Sequence, residues 1–213
     1  ELTGFGGTIK NLGMGCAPRR GKLSQHSTVK PEINQDICLG CGVCLQWCAF
    51  GAINLKPGEN NAWIDNSLCT GCGECILTCP EKAVKLHWNE SVAYMQEKMV
   101  EHLYGLLKGK GGRVVFLNFI THVSPACDCY PCSDAPIVGD IGILASTDPI
   151  AIDQASVDLV RQAEGSKDSM LSHNFAPGED KFRAIYPDTD WSIQLRYGEE
   201  LGLGNRAYQL IRI

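Results

Sequence analysis

Cysteine is the residue type whose spacing points most directly to chemistry in this chain. Between residues 38 and 80 it occurs eight times, in two runs of the form C-x2-C-x2-C-x3-C. The runs are Cys38, Cys41, Cys44 and Cys48, then Cys69, Cys72, Cys75 and Cys79. Bacterial proteins use this spacing to hold cubane iron–sulfur clusters through thiolates. Two complete runs in tandem therefore predict two 4Fe–4S clusters.

The ligand sets are expected to cross between the runs. Three thiolates two residues apart on a tight loop can reach three irons of one cube, whereas the fourth cysteine points toward the other cluster. Cluster I is accordingly assigned Cys38, Cys41, Cys44 and Cys79. Cluster II is assigned Cys69, Cys72, Cys75 and Cys48. Glycines at positions 40, 42, 71 and 73 would let the backbone fold tightly and direct N–H groups at the sulfurs.

A pair of zinc knuckles is the alternative for these eight residues. Zinc needs only four ligands per site and has no use for the crossed x3-C, so iron–sulfur is favoured. The stretch resembles a two-cluster bacterial ferredoxin, with one departure. Pro80 follows the last cysteine of the second run, but Ala49 holds that place in the first. All eight ligand positions are kept.

Four cysteines are left over after both clusters are filled. They are Cys16, Cys127, Cys129 and Cys132. Disulfides are disfavoured in a reducing compartment, so four thiols suggest a shared metal site. A third iron–sulfur cluster, a zinc ion and free buried cysteines all stay open as interpretations. Asp128, between two of these cysteines, could be exposed, ligate the metal or handle protons.

The segment 1–31 must position Cys16, and its many glycines favour a structural loop packed on a cluster, with an anion- or substrate-binding loop as the alternative. It carries five basic residues against one acidic residue. It is not a phosphate-binding P-loop, because Leu23 follows Lys22 where Ser or Thr would bind magnesium. With Phe5 as its one aromatic residue and no recognisable nucleic-acid fold, it gives no support for nucleic-acid binding.

Residues 32–88 are predicted to form a module that contains both cysteine runs. An internal repeat, CAFGAINL against CPEKAVKL, makes each half one loop–helix–strand unit. Between the runs, AINLKPGENNAWID is typical of two short strands around a Pro-Gly-Asn turn.

Residues 89–213 are predicted to complete an α/β or α+β domain begun by the Gly-rich segment, with the cysteine module inserted into it. A helix is expected from Asn89, its cap, to Gly109, with Met95, Met99 and Leu103 on its apolar face. The continuous apolar run 113–121 predicts a strand buried on both faces, and 137–146 a second strand.

The C-terminal part should hold two further helices. Asp148 and Pro149 begin the first, which should run through Val160. A long loop over 165–188, a helix over about 190–201 and a final strand, RAYQLIRI, are expected to follow.

Composition bounds the class of protein. The chain has 213 residues, 44% hydrophobic and 20% charged, with a formal net charge of −5, as in an ordinary globular protein. No run of about 20 apolar residues and no signal peptide is visible in this sequence, so a membrane span is not expected, and a reducing cytoplasm is the expected location because it best suits thiolate ligands. The opening ELTGFGG lacks an initiator Met, which suggests a fragment or a processed chain.

The chain as a whole resembles the domain-of-unknown-function 362 family. The resemblance is carried by the tandem cysteine runs and by GFGGTIKNLGMGCAPRRGKLSQHS, EKMVEHLYGLL, CDCYPCSDAPIVGDIGILASTDPIAIDQASVDLV and LGLGNRAYQLIRI. It implies iron–sulfur proteins with a ferredoxin-like module inserted into a larger α/β domain, usually with a further N-terminal α/β portion. The family's C-D-C corresponds to Cys127, Asp128 and Cys129, whereas Cys132 is not a family-wide feature.

Three functions are compatible with these features, and none has a catalytic residue that can be named. Electron transfer through two low-potential clusters ranks first, with a redox partner protein as acceptor. In a reductase, the clusters would feed a site where Asp128, the Cys127–Cys132 loop and the basic Arg19–Lys22 segment bind and reduce an anionic substrate. A non-redox scaffold or metallocentre-assembly protein is the alternative ranked second, after oxidoreductase electron transfer. Whether the chain is an enzyme and how it oligomerises are left open.

Overall fold

The computed structural model describes residues 3–27, 30–55, 58, 61–86, 90–127 and 129–213. The chain divides into two units, one made of Glu1–Cys16 with Val92–Ile213 and the other of Ala17–Ser91. The first unit is therefore discontinuous in sequence. Both contain helices and small sheets, which confirms the mixed α/β class.

Most elements of the described ranges are short, and the longest are the helices Val92–Leu107 and Pro149–Gln162. The helices are α1 (Thr8–Lys10), a π-helix (Asn11–Gly15), α2 (Arg19–His26), α3 (Val43–Trp47), α4 (Glu74–Thr78), α5 (Val92–Leu107), α6 (Pro149–Gln162), α7 (Lys181–Ile185) and α8 (Ser192–Glu200). The strands are β1 (Glu32–Ile33), β2 (Ile53–Leu55), β3 (Ala62–Ile64), β4 (Val84–Lys85), β5 (Phe116–Ile120) and β6 (Gly142–Ser146). They pair antiparallel as β1 with β4, β2 with β3, and β5 with β6.

The unit Ala17–Ser91 repeats one pattern twice. In each half a short helix is followed by a strand, α3 by β2 and α4 by β4, as the internal repeat predicted. The two strands expected between the runs are β2 and β3, but most of the turn between them lies outside the described residues. Ile53, Ala62 and Val84 are buried together with Cys44 and Cys75, so the small core is built around cysteines.

The other unit has its core between α5, α6 and α8. Met95, Met99 and Leu103 are buried on α5, as the apolar spacing predicted. The expected cap Asn89 lies outside the described residues. The Asp148 carboxylate accepts from the backbone N–H groups of Ile150 and Ala151, which confirms the predicted start of α6.

The Gly-rich segment is helical, so its prediction as a loop is wrong. Residues 8–15 form α1 and the π-helix, and 19–26 form α2. In this segment a glycine permits two backbones to approach closely rather than permitting a turn. A Cβ placed on Gly13 would lie 2.2 Å from the carbonyl oxygen of Met99 on α5.

The predicted strand 113–121 is shorter than expected, and its burial on both faces is wrong. β5 pairs only with β6 within the described residues, and its alternate side chains Leu117 and Phe119 are 57% and 64% exposed. A continuous apolar run shows that a strand can be buried but not whether a second layer covers it.

Two further expectations need correction. The segment 165–188 is not all loop, because it contains α7. RAYQLIRI has no regular structure, since these described residues have no neighbouring strand to pair with; Ile211 is 73% exposed. No helix in the described part of the chain has the length and apolar character that crossing a bilayer requires.

Candidate functional site

Left-handed glycines place the cysteines of each run. Gly42 and Gly73 stand at the N-termini of α3 and α4 with φ of 75° and 74°. A residue with a Cβ is strained in this conformation, so the sharp turn into each helix favours glycine. The turn directs the next cysteines, Cys44 and Cys75, into the interior, where both are buried.

The first cavity gathers cysteines from both runs. It encloses about 360 Å³ of empty space, part of it open to solvent. Its cysteines are Cys38, Cys41, Cys44 and Cys79. Ile33, Ala83 and Val84 contribute apolar wall. The last cysteine of the second run thus lies with the first three of the first run.

The second cavity has the complementary set. It encloses about 340 Å³, again partly open to solvent. Its cysteines are Cys48, Cys69, Cys72 and Cys75. Pro31, Phe50 and Ile64 form part of the apolar wall. The structure therefore brings together the two crossed sets, while their roles as ligands stay a prediction.

Backbone amides point at sulfurs of both cysteine runs. The N–H groups of Ala52 and Ala83 donate to Cys48 and Cys79, each at 3.3 Å. The N–H group of Ala62 donates to Cys38 at 3.4 Å. Such bonds favour negative charge on sulfur and fix its direction.

Burial opposes ionisation of the two innermost thiols. It raises the pKa of Cys75 to about 12, with the charges of Cys69, Cys72 and Cys44 adding to the effect. Burial also raises the pKa of Cys44, with Cys38, Cys79 and Cys41 adding. Four thiolates could not share either cavity without a compensating positive charge.

Across the described ranges, no three histidine, cysteine, aspartate or glutamate side chains are placed to bind one metal ion. The twelve cysteines, several of them clustered, are compatible with metal binding.

Two of the four leftover cysteines lie side by side. Cys127 and Cys129 have their sulfurs 2.8 Å apart. Cys16 and Cys132 are exposed, and the shared four-cysteine site stays a prediction. Asp128 lies outside the described residues.

Two polar residues of the discontinuous unit escaped the sequence interpretation. The ammonium group of Lys10 donates to the Cys127 sulfur at 3.1 Å. Asp153 is fully buried and accepts from the backbone N–H groups of Thr8 and Ile9 at 2.7 and 2.8 Å. The only sequence feature that pointed to a buried role for Asp153 was its place among the apolar residues of α6. No sequence feature pointed to the contact that Lys10 makes.

The fold and the two cavities define a mixed α/β protein with paired cysteine-lined sites. The family model described as "Domain of unknown function (DUF362)" matches residues 1–158, which is most of the chain. The chain belongs to this family. No curated protein matches the sequence.

Proposed function

We propose that this protein transfers electrons through two 4Fe–4S clusters held by a ferredoxin-like module. The proposal rests on one observation: each cavity is lined by three cysteines of one run and the last cysteine of the other. That grouping is the one that two-cluster ferredoxins require. Two independent zinc sites would have no reason to exchange their fourth ligands.

The residues present fit such clusters in number and chemistry. Four thiol ligands per cavity suit a 4Fe–4S cluster. Cys75, with its raised pKa, needs positive charge nearby to become a thiolate. Cys38, Cys41, Cys44 and Cys79 would hold one cluster and Cys48, Cys69, Cys72 and Cys75 the other.

When bound, the clusters would supply reversible one-electron transfer. The chain's own residues do the rest. The N–H groups of Ala52, Ala62 and Ala83 hold sulfurs in direction and favour their negative charge, which tunes a cluster's potential. Ile53 and Val84, both buried, keep water from the inner thiols.

Charge beside the second cavity supports an anionic redox partner or substrate. Arg19 at the start of α2 forms an ion pair with Glu74, a residue that lines this cavity, at 3.1 Å. Arg20 and Lys22 of the same helix are exposed. An exposed basic helix next to an electron-carrying site would speed the encounter with a negatively charged acceptor.

Anaerobic purification with iron, sulfide and zinc analysis tests the proposal. We expect about eight iron and eight sulfide per chain and reversible reduction in a potentiometric titration. The matched variant Cys132→Ser, which removes an exposed cysteine outside both cavities, should keep all eight. Fewer than about six iron after reconstitution, or zinc in place of iron, would contradict it. Cluster transfer to an apo-ferredoxin without reversible reduction would favour the scaffold instead.

A further inference from the structure

A second thiol arrangement lies in the discontinuous unit, apart from the two cavities. The loop after β5 carries Cys127 and Cys129, whose sulfurs lie 2.8 Å apart. Cys129 is exposed and Cys127 half-buried, so an external molecule can reach the pair. None of the steps proposed for the clusters uses these two residues.

Three donors converge on the Cys127 sulfur. They are the Lys10 ammonium at 3.1 Å, the Cys129 thiol at 2.8 Å and the Cys129 backbone N–H at 3.4 Å. Donors of this kind, one of them cationic, stabilise negative charge on the sulfur that accepts them. Cys127 is thereby marked as the nucleophile and Cys129 as its neighbour.

Further hydrogen bonds hold in place both the loop with Cys127 and Cys129 and the helix with Lys10. The Tyr130 N–H donates to the Cys127 carbonyl oxygen at 2.8 Å, which closes a turn around Cys129. The Tyr186 hydroxyl donates to the Pro125 carbonyl oxygen at 2.9 Å and ties down the start of the loop. The helix that carries Lys10 is capped by the buried carboxylate of Asp153.

The spacing of the sulfurs suits a covalent bond better than a shared metal. Two thiolates on one tetrahedral zinc would lie about 3.8 Å apart, given zinc–sulfur bonds near 2.3 Å. At 2.8 Å the Cys127 and Cys129 sulfurs are closer than that. We propose that Cys127 and Cys129 form a dithiol–disulfide couple that reduces an external disulfide, with the Lys10 ammonium supporting the attacking sulfur.

The exchange balances without a further reactant. The Cys127 thiolate attacks one sulfur of the external disulfide, forms a mixed disulfide and releases one thiolate. Cys129 loses its proton to solvent and attacks the Cys127 sulfur, which releases the second thiolate. The external disulfide gains the two electrons that the Cys127–Cys129 pair loses. The two released thiolates take up two protons from solvent, one of which replaces the proton that Cys129 gave up.

The test uses the intact, anaerobically purified protein and glutathione disulfide as the probe. Free thiols are alkylated at timed intervals and the peptide with residues 127 and 129 is followed by mass spectrometry. We expect it to become an internal disulfide, with two glutathione molecules released per chain. Cys129→Ser should stop at one glutathione bound to Cys127, because the resolving thiol is gone.

Matched lysine variants separate the role of Lys10 from folding. Lys10→Gln should slow the first attack about tenfold, since a charge-assisted hydrogen bond is lost, and Lys10→Arg should restore most of the rate. Lys110→Gln, at an exposed site of the same unit, should react like the wild type.

Three results would overturn the proposal that Cys127 and Cys129 form a dithiol–disulfide couple. Cys127 could pair with Cys132 instead, both thiols could stay unreacted, or the loop could release zinc or iron on alkylation. Because the readout is one peptide's mass, it is independent of the iron count. The couple can therefore fail while the cluster proposal stands, and the reverse.

Discussion

The backbone N–H of Ala83 donates to the sulfur of Cys79 at 3.3 Å. One repeat earlier, the N–H of Ala52 makes the same bond to Cys48 at the same distance. Cys48 and Cys79 are the last cysteines of their runs, and each lines the cavity of the other run. The two halves thus orient their crossed cysteines by one shared backbone device.

The crossed cysteine sets predict for which pairs of substitutions the losses of iron are additive. Cys79→Ala alone should lower the iron content from about eight to about four, because one cluster loses a ligand. Combining it with Cys41→Ala should cost no further iron, since both residues line the first cavity. Combining it with Cys72→Ala should leave almost none, because Cys72 lines the second cavity. Iron analysis with EPR of the reduced variants measures this. The reverse pattern of additivity would refute the crossed sets.

The equivalent glycines at the starts of α3 and α4 should respond differently to alanine. Both have positive φ, so each substitution should cost about 1–2 kcal/mol of backbone strain. A Cβ on Gly73 would also lie 2.2 Å from Leu23 Cδ1, whereas one on Gly42 meets nothing within 4 Å. Gly73→Ala should therefore lower the thermal midpoint more than Gly42→Ala. In a Leu23→Ala background the two should become alike; a persisting gap would mean that Leu23 is not the cause.

Close packing of the π-helix on α5 makes a second glycine contrast. Gly13→Ala would push a Cβ to 2.2 Å from the Met99 carbonyl oxygen, a backbone atom that cannot turn aside. We expect a loss of about 1–3 kcal/mol in the free energy of unfolding. Gly15→Ala is the control, because its nearest atom is the Asn11 side-chain oxygen at 3.2 Å. Urea unfolding that ranks the two variants equally would contradict this packing.

The buried carboxyl of Asp153 predicts a pH dependence of stability. Burial raises its pKa to about 6, although bonds from Ile9, Asn118 and Thr8 pull the other way. The folded state then holds this proton more tightly than the unfolded state, whose pKa is 3.8. Its contribution to stability is full below about pH 4 and is lost as pH rises through 6.

Urea unfolding at pH 5 and pH 7.5 measures the effect. The wild type should be more stable at pH 5 by about 1–1.5 kcal/mol from this group. Asp153→Asn should be less stable at both values, because its amide faces the same N–H donors, but should lose this share of the pH difference. Other titrating groups cancel in the comparison. An unchanged difference in the variant would place the effect elsewhere.

Local patterns predicted what local physics determines. The apolar spacing of α5 and the Asp148 cap of α6 are properties of a few neighbouring residues, and both were found where expected. The cysteines that line each cavity are the crossed sets expected from the tandem runs, a grouping of distant residues that the ferredoxin-like spacing pattern suggested, and their roles as ligands stay a prediction.

Contacts between distant parts of the chain had no such pattern. Lys10 bonds to Cys127, which lies 117 positions further along the chain, and no sequence pattern near either residue predicts this contact. The glycines of the first segment suggested a loop, since glycine lowers helix propensity. In the folded unit Gly13 instead makes room for the backbone of α5, which is a tertiary requirement.

The discontinuity of the first unit has a consequence for synthesis. The backbone N–H groups of Thr8 and Ile9 can bond to the Asp153 carboxylate only after Asp153 has been synthesised, 145 and 144 residues later. All of Ala17–Ser91 is made in between. At about 5–20 residues per second, roughly 3–12 s pass between Ser91 and Asp153. A nascent chain therefore completes the cysteine-bearing unit while the amino-terminal helix still lacks the carboxylate that caps it.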